Sequence, residues 1–405
     1  MSDRHTLRKA LTVAHDSTQY IIIGAGLFGT AAAWRLAQSG KDVIILERSI
    51  PASDSGSSHG SARIFRYPYM DQPTTSLVKE ARTQWNELEA TTEKRLITPS
   101  GCLDTGSVRN PEHLANLLIL EGIEHELLDA ASAQQRWPQF NFSGTVLWHP
   151  GAGVINAGES VAAMNNLAIS AGAHLRCGWE VESVTSHGTG YRVTSTTGDT
   201  VEGEQVIVAS GGWLPKLLGN LQLPQGFLER MPEIQVRQEN AYHFYYRDTA
   251  DWGETPLGNY TSWPCLISKE PGYQGYALPG GGDAGFRGQK VAEYNGGRVI
   301  RNAGDQNGVI DAANRHRVID FVKANCPGLD PTPYAETTCI FTSIPDDRMI
   351  IDRAEGITIV SACSGQGAKF APLIGSTIYE LVTGTSTSQP RELFRAHPQR
   401  FLQEA

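Results

Sequence analysis

The chain has 405 residues, of which 40% are hydrophobic and 19% charged, and its formal net charge is −9. This composition is typical of a globular protein large enough for two or three domains. The acidic balance, without runs of like charge, argues against nucleic acid or an anionic membrane as the main partner, and no apolar stretch approaches the roughly 20 residues of a membrane-spanning helix.

Neither end of the chain has the pattern of a secretory or peroxisomal signal, and a transit peptide is disfavoured by Asp3 and Asp16. Residues 1–18 are polar and slightly basic, without the apolar segment of a secretory signal, and the final FLQEA is not a peroxisomal address of the S-K-L type. We therefore expect a cytoplasmic protein. Neither a disulfide framework nor a metal site is expected, because no C-x-x-C pair or metal-ligand spacing occurs among the six scattered cysteines, which are Cys102, Cys177, Cys265, Cys326, Cys339 and Cys363.

The first strong motif is YIIIGAGLFGTAAAWRLAQSGKDVIILERS, which begins at Tyr20. Its pattern predicts a strand at Tyr20–Ile23, a glycine turn, a helix at Thr30–Gln38 and a second strand at Asp42–Leu46 that ends at Glu47. These elements, in this order, form the βαβ dinucleotide-binding fingerprint.

Each glycine of this fingerprint has a physical role. Gly24 permits the tight turn, Gly26 lets the backbone approach a pyrophosphate, and Gly29 allows close packing of helix on strand. We expect Glu47 to accept hydrogen bonds from the ribose hydroxyls and the helix N-terminus to face the phosphates. The motif alone does not distinguish FAD from NAD. Further nucleotide contacts are expected from Ala25, Leu27, Phe28 and Arg48.

The strand pattern returns far downstream. Residues 178–210 predict a hairpin whose last strand is Gln205–Ala209, and a third segment predicts a strand at Ile357–Ala362, a glycine-rich turn and a helix to about Val382. The predicted nucleotide-binding domain is therefore discontinuous. It comprises residues 19–100, 151–215 and 336–390; residues 101–150 and 216–335 form a mixed-sheet substrate domain, between an extension at 1–18 and a tail at 391–405.

Four blocks of the chain follow the order of one enzyme family. They are the glycine motif, GSSHGSARIFRYPY at 56–69, CIFTSIPDDRMIID at 339–352 and CSGQGAKFAPLIG at 363–375. Together they resemble the monomeric sarcosine oxidase and N-methyltryptophan oxidase group of the flavin-dependent D-amino-acid-oxidase-like superfamily. The resemblance implies an α/β fold of the glutathione-reductase/D-amino-acid-oxidase type, with a Rossmann-like FAD-binding domain and a mixed β-sheet substrate domain.

The second and fourth blocks supply candidate carboxylate ligands. Arginine offers a planar fork that matches a carboxylate, and a lysine in the first turn of a helix, as predicted for Lys369, implies a nearby anion. By resemblance, Arg66 and Lys369 hold the substrate carboxylate, while His59 and Arg63 lie against the flavin. Further cofactor contacts are expected from Gly56, Ser57, Ser58, Ile64, Val181, Ser210, Gly211, Trp213, Gly365, Gln366, Gly367 and Ala368.

The third block changes the interpretation of one cysteine. By itself, Cys339 would be an ordinary buried thiol. The resemblance implies instead that its sulfur is bonded to the 8α carbon of FAD, an 8α-S-cysteinyl linkage.

The stretch LPGGGDAGFRG and its flanks contain the positions that depart from the family. The oxygen-activating lysine of the family matches Arg287, or Lys290 under a shifted alignment, and a family histidine matches Val291. Tyr276 aligns with a tyrosine near the substrate, whereas Phe341 replaces a family tyrosine. The departures indicate a substrate other than sarcosine.

The expected reaction is oxidation of the C–N bond of an amine that carries a carboxylate, by hydride transfer to FAD with O2 as acceptor, in a monomeric enzyme. Candidate substrates are larger N-methyl or cyclic amino acids, a glycated amino acid or a precursor of a secondary metabolite. The alternatives are a flavin dehydrogenase with another acceptor, a non-redox nucleotide-binding protein and an NAD(P)-dependent dehydrogenase.

Overall fold

The computed structural model describes residues 16–247, 262–285, 287–361 and 364–385, and all structural statements concern these. Residues 1–15 of the predicted extension, the tail at 391–405 and Cys363 lie outside the described residues. The strands are Ser17–Ile23 (β1), Val43–Leu46 (β2), Arg63–Phe65 (β3), Ile97–Pro99 (β4), Cys102–Thr105 (β5), Glu126–Leu128 (β6), Val146–His149 (β7), Gly153–Ile155 (β8), His174–Arg176 (β9), Val181–His187 (β10), Gly190–Ser195 (β11), Thr200–Val208 (β12), Gln235–Tyr246 (β13), Cys265–Glu270 (β14), Tyr273–Pro279 (β15), Gly288–Glu293 (β16), Arg298–Ile300 (β17), Leu329–Ser343 (β18), Ile350–Ala354 (β19) and Ile357–Ser361 (β20). The α-helices are Leu27–Gln38 (α1), Gln72–Thr92 (α2), Pro111–Glu121 (α3), Ala130–Arg136 (α4), Ala157–Ser170 (α5), Leu214–Leu218 (α6), Gln225–Leu228 (α7), Ala312–Asn325 (α8) and Ala371–Thr383 (α9).

The first sheet contains the predicted βαβ unit, together with strands from distant parts of the chain. Its strands run in the order β10-β11-β12-β1-β2-β9, with β20 beside β12 and β19 beside β20. The neighbours β9, β2, β1, β12 and β20 are parallel. Parallel strands are normally covered on both faces, which explains the unbroken apolar run at residues 20–23.

Helices α1, α5 and α9 cover one face of this sheet. Trp34 of α1 is fully buried there among alanines, which let neighbouring helices approach closely. A Cβ atom added at Gly375 of α9 would lie 2.6 Å from the carbonyl oxygen of Ala31. The small alanine side chains of α1 therefore allow α9 to pack closely against the β1–α1 unit. The turn before α9 is brought to the same place.

The second sheet has nine strands, mostly antiparallel. Its order is β17-β13-β16-β15-β14-β5-β7-β6, and β18 pairs with β13. Helix α8 packs on this sheet through Val318 and Phe321. Strand β18 runs across the predicted domain boundary at residue 336, because it pairs with β13 over most of its length, so Cys339 belongs to the second sheet.

A small three-stranded sheet, in the order β3-β8-β4, carries the second sequence block. Arg63 lies at the start of β3 and Arg66 directly after its end. Within the described ranges, no helix has both the length and the apolar character needed to cross a bilayer.

Candidate active site

A cavity of about 450 Å³, lined by residues of both large sheets, is the candidate site. Its volume lies in the range of small-molecule and cofactor sites. One end, here called the glycine end, is formed around Gly24, Gly26, Glu47 and Trp213. The other, here called the cationic end, contains Arg63, Arg66, Lys269, Lys290 and Lys369.

The backbone shapes the glycine end. Gly24 has φ of +102°, and a Cβ atom there would lie 2.6 Å from the carbonyl oxygen of Ala209. A Cβ atom at Gly29 would lie 1.9 Å from the carbonyl oxygen of Gly24. Both positions therefore require glycine, for the turn and for the helix–strand contact that the sequence predicts. Ala25 and Gly29 support the turn without lining the cavity.

Glu47 is fixed at the cavity wall by two main-chain amides. Its carboxylate accepts hydrogen bonds from the N–H of Ala25 at 2.8 Å and of Ser49 at 2.9 Å. The neighbouring Arg48 stacks over Trp213, with the guanidinium 4.6 Å from the ring centroid, and pairs with Glu180 at 3.3 Å. This end thus presents an oriented carboxylate and an aromatic face.

The N-terminus of α1 opens onto the same end of the cavity. Gly26 begins the helix without a side-chain cap, and the first turn contains no acidic residue. The N–H of Leu27 donates to the hydroxyl of Ser58 at 3.0 Å. The partial positive charge of the helix end is therefore available to an anion such as a phosphate.

Arg63 holds the loop that precedes it. Its guanidinium donates to the carbonyl oxygens of Ser57 at 3.1 Å, His59 at 2.8 Å and Ala62 at 2.9 Å. Burial, together with Arg63 and Lys290, lowers the pKa of His59 to about 4, so this imidazole is neutral at physiological pH. His59 is not a lining residue of the cavity, whereas Arg63 is.

Arg66 and Lys369 converge on Gln366. The Arg66 guanidinium donates to Gln366 Oε1 at 3.3 Å, and Lys369 Nζ donates to the Gln366 carbonyl at 2.7 Å. Both cations also lie over the ring of Tyr69, with Arg66 Cζ 4.3 Å and Lys369 Nζ 5.5 Å from its centroid. Arg66 is only 8% exposed and Lys369 only 4%. The predicted pair is therefore assembled in one place and held out of bulk solvent.

Lys369 differs from expectation in its secondary structure. It lies in a 3-10 turn, Gly367–Phe370, directly before α9 rather than in the first turn of that helix. The indole N–H of Trp85 donates to its carbonyl oxygen at 2.7 Å, which fixes this turn against α2.

Arg66 shares a hydrogen-bond acceptor with a buried ion network. Arg66 and Arg109 both donate to the carbonyl oxygen of Pro68. Arg109 pairs with Asp104 at 2.6 Å, and Asp104 also contacts His149 at 3.0 Å. Although burial opposes ionisation, Arg109 and His149 hold the pKa of Asp104 below its usual value.

The same network has the geometry of a metal site but not its electrostatics. The ligand atoms of Cys102, Asp104 and His149 lie within 4.8 Å of one another. Burial raises the pKa of the Cys102 thiol, and Arg109 already occupies the carboxylate. A metal ion would have to displace this guanidinium in a buried setting, so the cluster is better explained as an ion network.

Lys290, and not Arg287, reaches the cavity. Strand β16 begins at Gly288, so Arg287 precedes it; Arg287 is exposed, with its guanidinium 5.5 Å from the ring centroids of Tyr245 and Tyr334. Lys290 is 6% exposed and lines the cavity. Burial, followed by the charge of Arg63, lowers the pKa of Lys290 to about 8. Of the two alternatives, Lys290 therefore lines the cavity and Arg287 does not.

Cys339 lines the cavity on β18, opposite Glu239 of β13 in the strand register. Burial raises the pKa of its thiol, and the nearby charges of Lys290 and Arg63 oppose this effect. Burial also raises the pKa of Glu239 to about 7. Tyr276, the predicted substrate-side tyrosine, lines the same part of the cavity.

Lys269 and Tyr294 line the cavity but were not predicted from the sequence. Tyr294 directly follows β16 and lies four residues after Lys290, so continuing the alternation of this strand by one residue could have indicated it. Val291, by contrast, packs in the core on the other face of the sheet. Lys269 lies near the end of β14, and no local signal distinguishes it from a solvent-facing lysine.

The other predicted contacts gather at the cavity. Besides those described above, its lining includes Phe28, Gly56, Ser57, Ser58, Ile64, Val181, Ser210, Gly211, Gly365, Gly367 and Ala368. The Ser210, Thr342 and Ser361 hydroxyls are buried in its wall without a hydrogen-bond partner among the described residues. Buried hydroxyls normally find partners, so this wall is suited to a bound group rich in polar atoms.

Comparison with known proteins identifies the family. Residues 19–381 match the family described as FAD dependent oxidoreductase, and the chain belongs to this family. It is 28% identical to the peroxisomal sarcosine oxidase of Mus musculus, over 90% of this chain and 92% of that protein. It is 25% identical to the N-methyl-L-tryptophan oxidase of Yersinia pestis, over 88% and 92%. The chain is an oxidoreductase of the sarcosine oxidase type, acting on amine donors.

A solved structure supports the same fold. NikD, an amino acid oxidase essential for nikkomycin biosynthesis, superposes with a TM-score of 0.79 at 22% identity, over 94% of this chain and 97% of that one.

Proposed function

Starting from this family membership, we propose that the chain oxidises the C–N bond of an N-substituted amino acid, using covalently attached FAD and O2. The observation that carries the proposal is the convergence of Arg66 and Lys369 on Gln366 at the buried cationic end. Two charged donors held together out of solvent form strong hydrogen bonds to a carboxylate. The substrate would therefore be anchored by its acid group, with the adjacent amine directed into the cavity.

The residues present fit FAD. Glu47 and the open N-terminus of α1 suit a ribose and a pyrophosphate, and the unpartnered hydroxyls of Ser210, Thr342 and Ser361 offer further polar contacts. FAD, when bound, accepts a hydride from the carbon next to the amine nitrogen, and the resulting imine is hydrolysed by water. The protein contributes orientation and electrostatics.

A dedicated base is not needed if the site binds the neutral amine. Arg66 and Lys369 disfavour an additional positive charge on the substrate nitrogen beside them. His59 is already neutral, since the pKa of its imidazole is about 4. The cationic end therefore favours loss of the amine proton to solvent before the hydride leaves.

Lys290 is the proposed site of oxygen activation. It lies near Cys339 and Arg63 in the cavity wall, and a buried cation stabilises negative charge that develops on O2 as it accepts electrons. Each turnover would yield one H2O2. The position of Lys290 in the cavity wall favours the oxidase over the flavin dehydrogenase.

Cys339 is proposed to tether FAD through its sulfur. The thiol and the 8α methyl group would each lose one hydrogen, the two electrons and two protons would reduce the flavin, and O2 would reoxidise it. The thiol is buried in the cavity wall, and Lys290 and Arg63 lie close enough to favour its thiolate, the nucleophilic form. After denaturation in acid, we expect yellow colour to remain with the wild-type polypeptide and to be released from Cys339→Ala. Free flavin released from the wild type would contradict the linkage and leave the remaining proposal standing.

Anaerobic mixing with a panel of N-methyl, cyclic and glycated amino acids tests the proposed reaction. At least one panel member should bleach the flavin absorbance, and air should restore the colour with one H2O2 per substrate oxidised. A yellow protein that no secondary amine bleaches would contradict the proposal.

A further inference from the structure

We propose that Lys269 binds a second anionic group on the substrate, so that the preferred substrate is an N-substituted amino acid with a carboxylate on its side chain. This inference rests on the proposed function, and it adds a substrate class to it. It depends on the position of Lys269, on its surroundings and on the charge balance of the cationic end.

The main chain of Lys269 is rigidly held. It lies near the end of β14, paired with Gln274 of β15, and its carbonyl oxygen accepts a hydrogen bond from Val108 at 3.1 Å. Two residues earlier on the same strand face, Ile267 also lines the cavity. The lysine side chain is thus directed into the cavity by the alternation of an ordered strand.

The ammonium of Lys269 has an aromatic neighbour but no anionic partner in contact. Its Nζ lies 4.9 Å from the ring centroid of Tyr294. Within the described ranges it makes no hydrogen bond, and no carboxylate lies within the 4.0 Å of an ion pair. Burial, followed by the charges of Arg66 and Arg109, lowers its pKa to about 8, so the group is still mainly protonated at neutral pH.

The nearby acids do not balance the cations. Asp104 is engaged by Arg109 and His149. Asp347 accepts a hydrogen bond from the Tyr294 hydroxyl at 3.3 Å, and burial raises its pKa. A substrate with one carboxylate would occupy Arg66 and Lys369 and leave Lys269 desolvated without a contacting anion, an arrangement that is unfavourable in a cavity.

The two anion sites lie side by side. Gln366 accepts a hydrogen bond from Arg66 and also lies close to the Tyr294 hydroxyl, while Lys269 lies over the ring of Tyr294. The ring centroids of Tyr294 and Phe341 are 6.0 Å apart, so the space between these two rings is narrow. A substrate with one carboxylate at Arg66 and Lys369 and a second carboxylate at Lys269 would therefore extend across Tyr294.

The test compares substrates that differ in one charge. N-methylglutamate and N-methylglutamine, and the corresponding aspartate and asparagine pair, are mixed anaerobically with the holoenzyme, both enantiomers of each, and kcat/KM for flavin reduction is measured. The same series is run with Lys269→Met and with Lys269→Arg. The amide substrates report the integrity of each variant, because they lack the second charge but retain the rest of the molecule.

We expect the wild type to prefer the better dicarboxylate over its amide by about 10- to 100-fold, as for a charged hydrogen bond. Lys269→Met should abolish the preference, because the rate with the dicarboxylate falls to near that of the amide, and Lys269→Arg should retain the preference. Equal rates for acid and amide in the wild type, or equal losses for both in Lys269→Met, would overturn the inference. If N-methylalanine, whose side chain is uncharged, bleaches the flavin and the dicarboxylates are not preferred, only this inference fails. If no secondary amine bleaches the flavin, the proposed function fails as well.

Discussion

The two ends of the cavity are built in different ways. At the glycine end the determining groups are main-chain atoms of a single βαβ unit, with Gly24, Gly29 and Glu47 within one short stretch. At the cationic end, five side chains converge from distant parts of the chain. They come from β3 and the turn after it, from β14, from β16 and from the 3-10 turn before α9. The glycine end therefore tolerates little change in backbone conformation, and the cationic end tolerates little change in charge. Substitutions at the two ends should fail in different ways.

The largest effect is expected at the glycine end. Gly29→Ala would place a Cβ atom 1.9 Å from the carbonyl oxygen of Gly24, at the junction of β1 and α1, where neither element can move independently. We expect the purified variant to lose most of its flavin, measured as the ratio of flavin to protein absorbance. Gly144→Ala is the control, because its Cβ atom would meet no atom within 4 Å. Full flavin content in Gly29→Ala would contradict this account of the motif.

The next effect concerns Lys290. Lys290→Met should keep its flavin and its anaerobic reduction rate but be reoxidised by O2 roughly 100-fold more slowly, as when one charge-stabilising donor is removed. Arg287→Met, which changes the exposed arginine three residues earlier, should be reoxidised normally. Stopped-flow reoxidation measures both. Slow reoxidation of Arg287→Met together with normal reoxidation of Lys290→Met would instead assign oxygen activation to Arg287.

The same step should depend on pH. Burial and Arg63 lower the pKa of Lys290 to about 8, while Cys339 and Asp283 favour its charge. His243, its partner across the strands, is neutral because burial lowers its pKa to about 4. The charge of Lys290 is therefore present below pH 8 and lost above it, so the reoxidation rate should fall above pH 8. A rate that rises through this interval would contradict the assignment.

Smaller effects are expected from the carboxylate ligands. Arg66→Met and Lys369→Met should each lower kcat/KM for flavin reduction by roughly 10- to 100-fold, because each removes a charged hydrogen bond worth roughly 1.5–3 kcal/mol. Unlike Gly29→Ala, both should retain their flavin. Loss of flavin from both, with normal kinetics in the residual holoenzyme, would show that these side chains serve the cofactor and not the substrate.

The glycine end was predictable from sequence because its signal is local. Strand β1, helix α1, strand β2 and Glu47 follow one another, and each glycine has its own steric reason. That Arg66 and Lys369 act as a pair was predicted only through the family resemblance, since 302 intervening residues separate two groups that meet at Gln366.

The rest of the cationic end could not be derived in this way. The choice between Arg287 and Lys290 depends on β16 beginning at Gly288, which a glycine-rich stretch does not reveal. Lys269 becomes a cavity residue only because β14 pairs with β15 and β15 with β16, contacts that no local pattern encodes. Likewise, the predicted boundary at 336 was placed within β18, which long pairing with β13 keeps in the second sheet.

The central claim is that the cationic end holds a substrate carboxylate beside the flavin. It is tested most directly by anaerobic reduction of the wild-type flavin with the most active secondary amino acid and with its methyl ester, in which the acid group is uncharged and carries one extra methyl group. The account predicts rapid bleaching by the acid and at least about 100-fold lower kcat/KM for the ester, because two charged ligands lose their anion. Equal rates for the acid and the ester would show that Arg66 and Lys369 do not bind the substrate as a carboxylate.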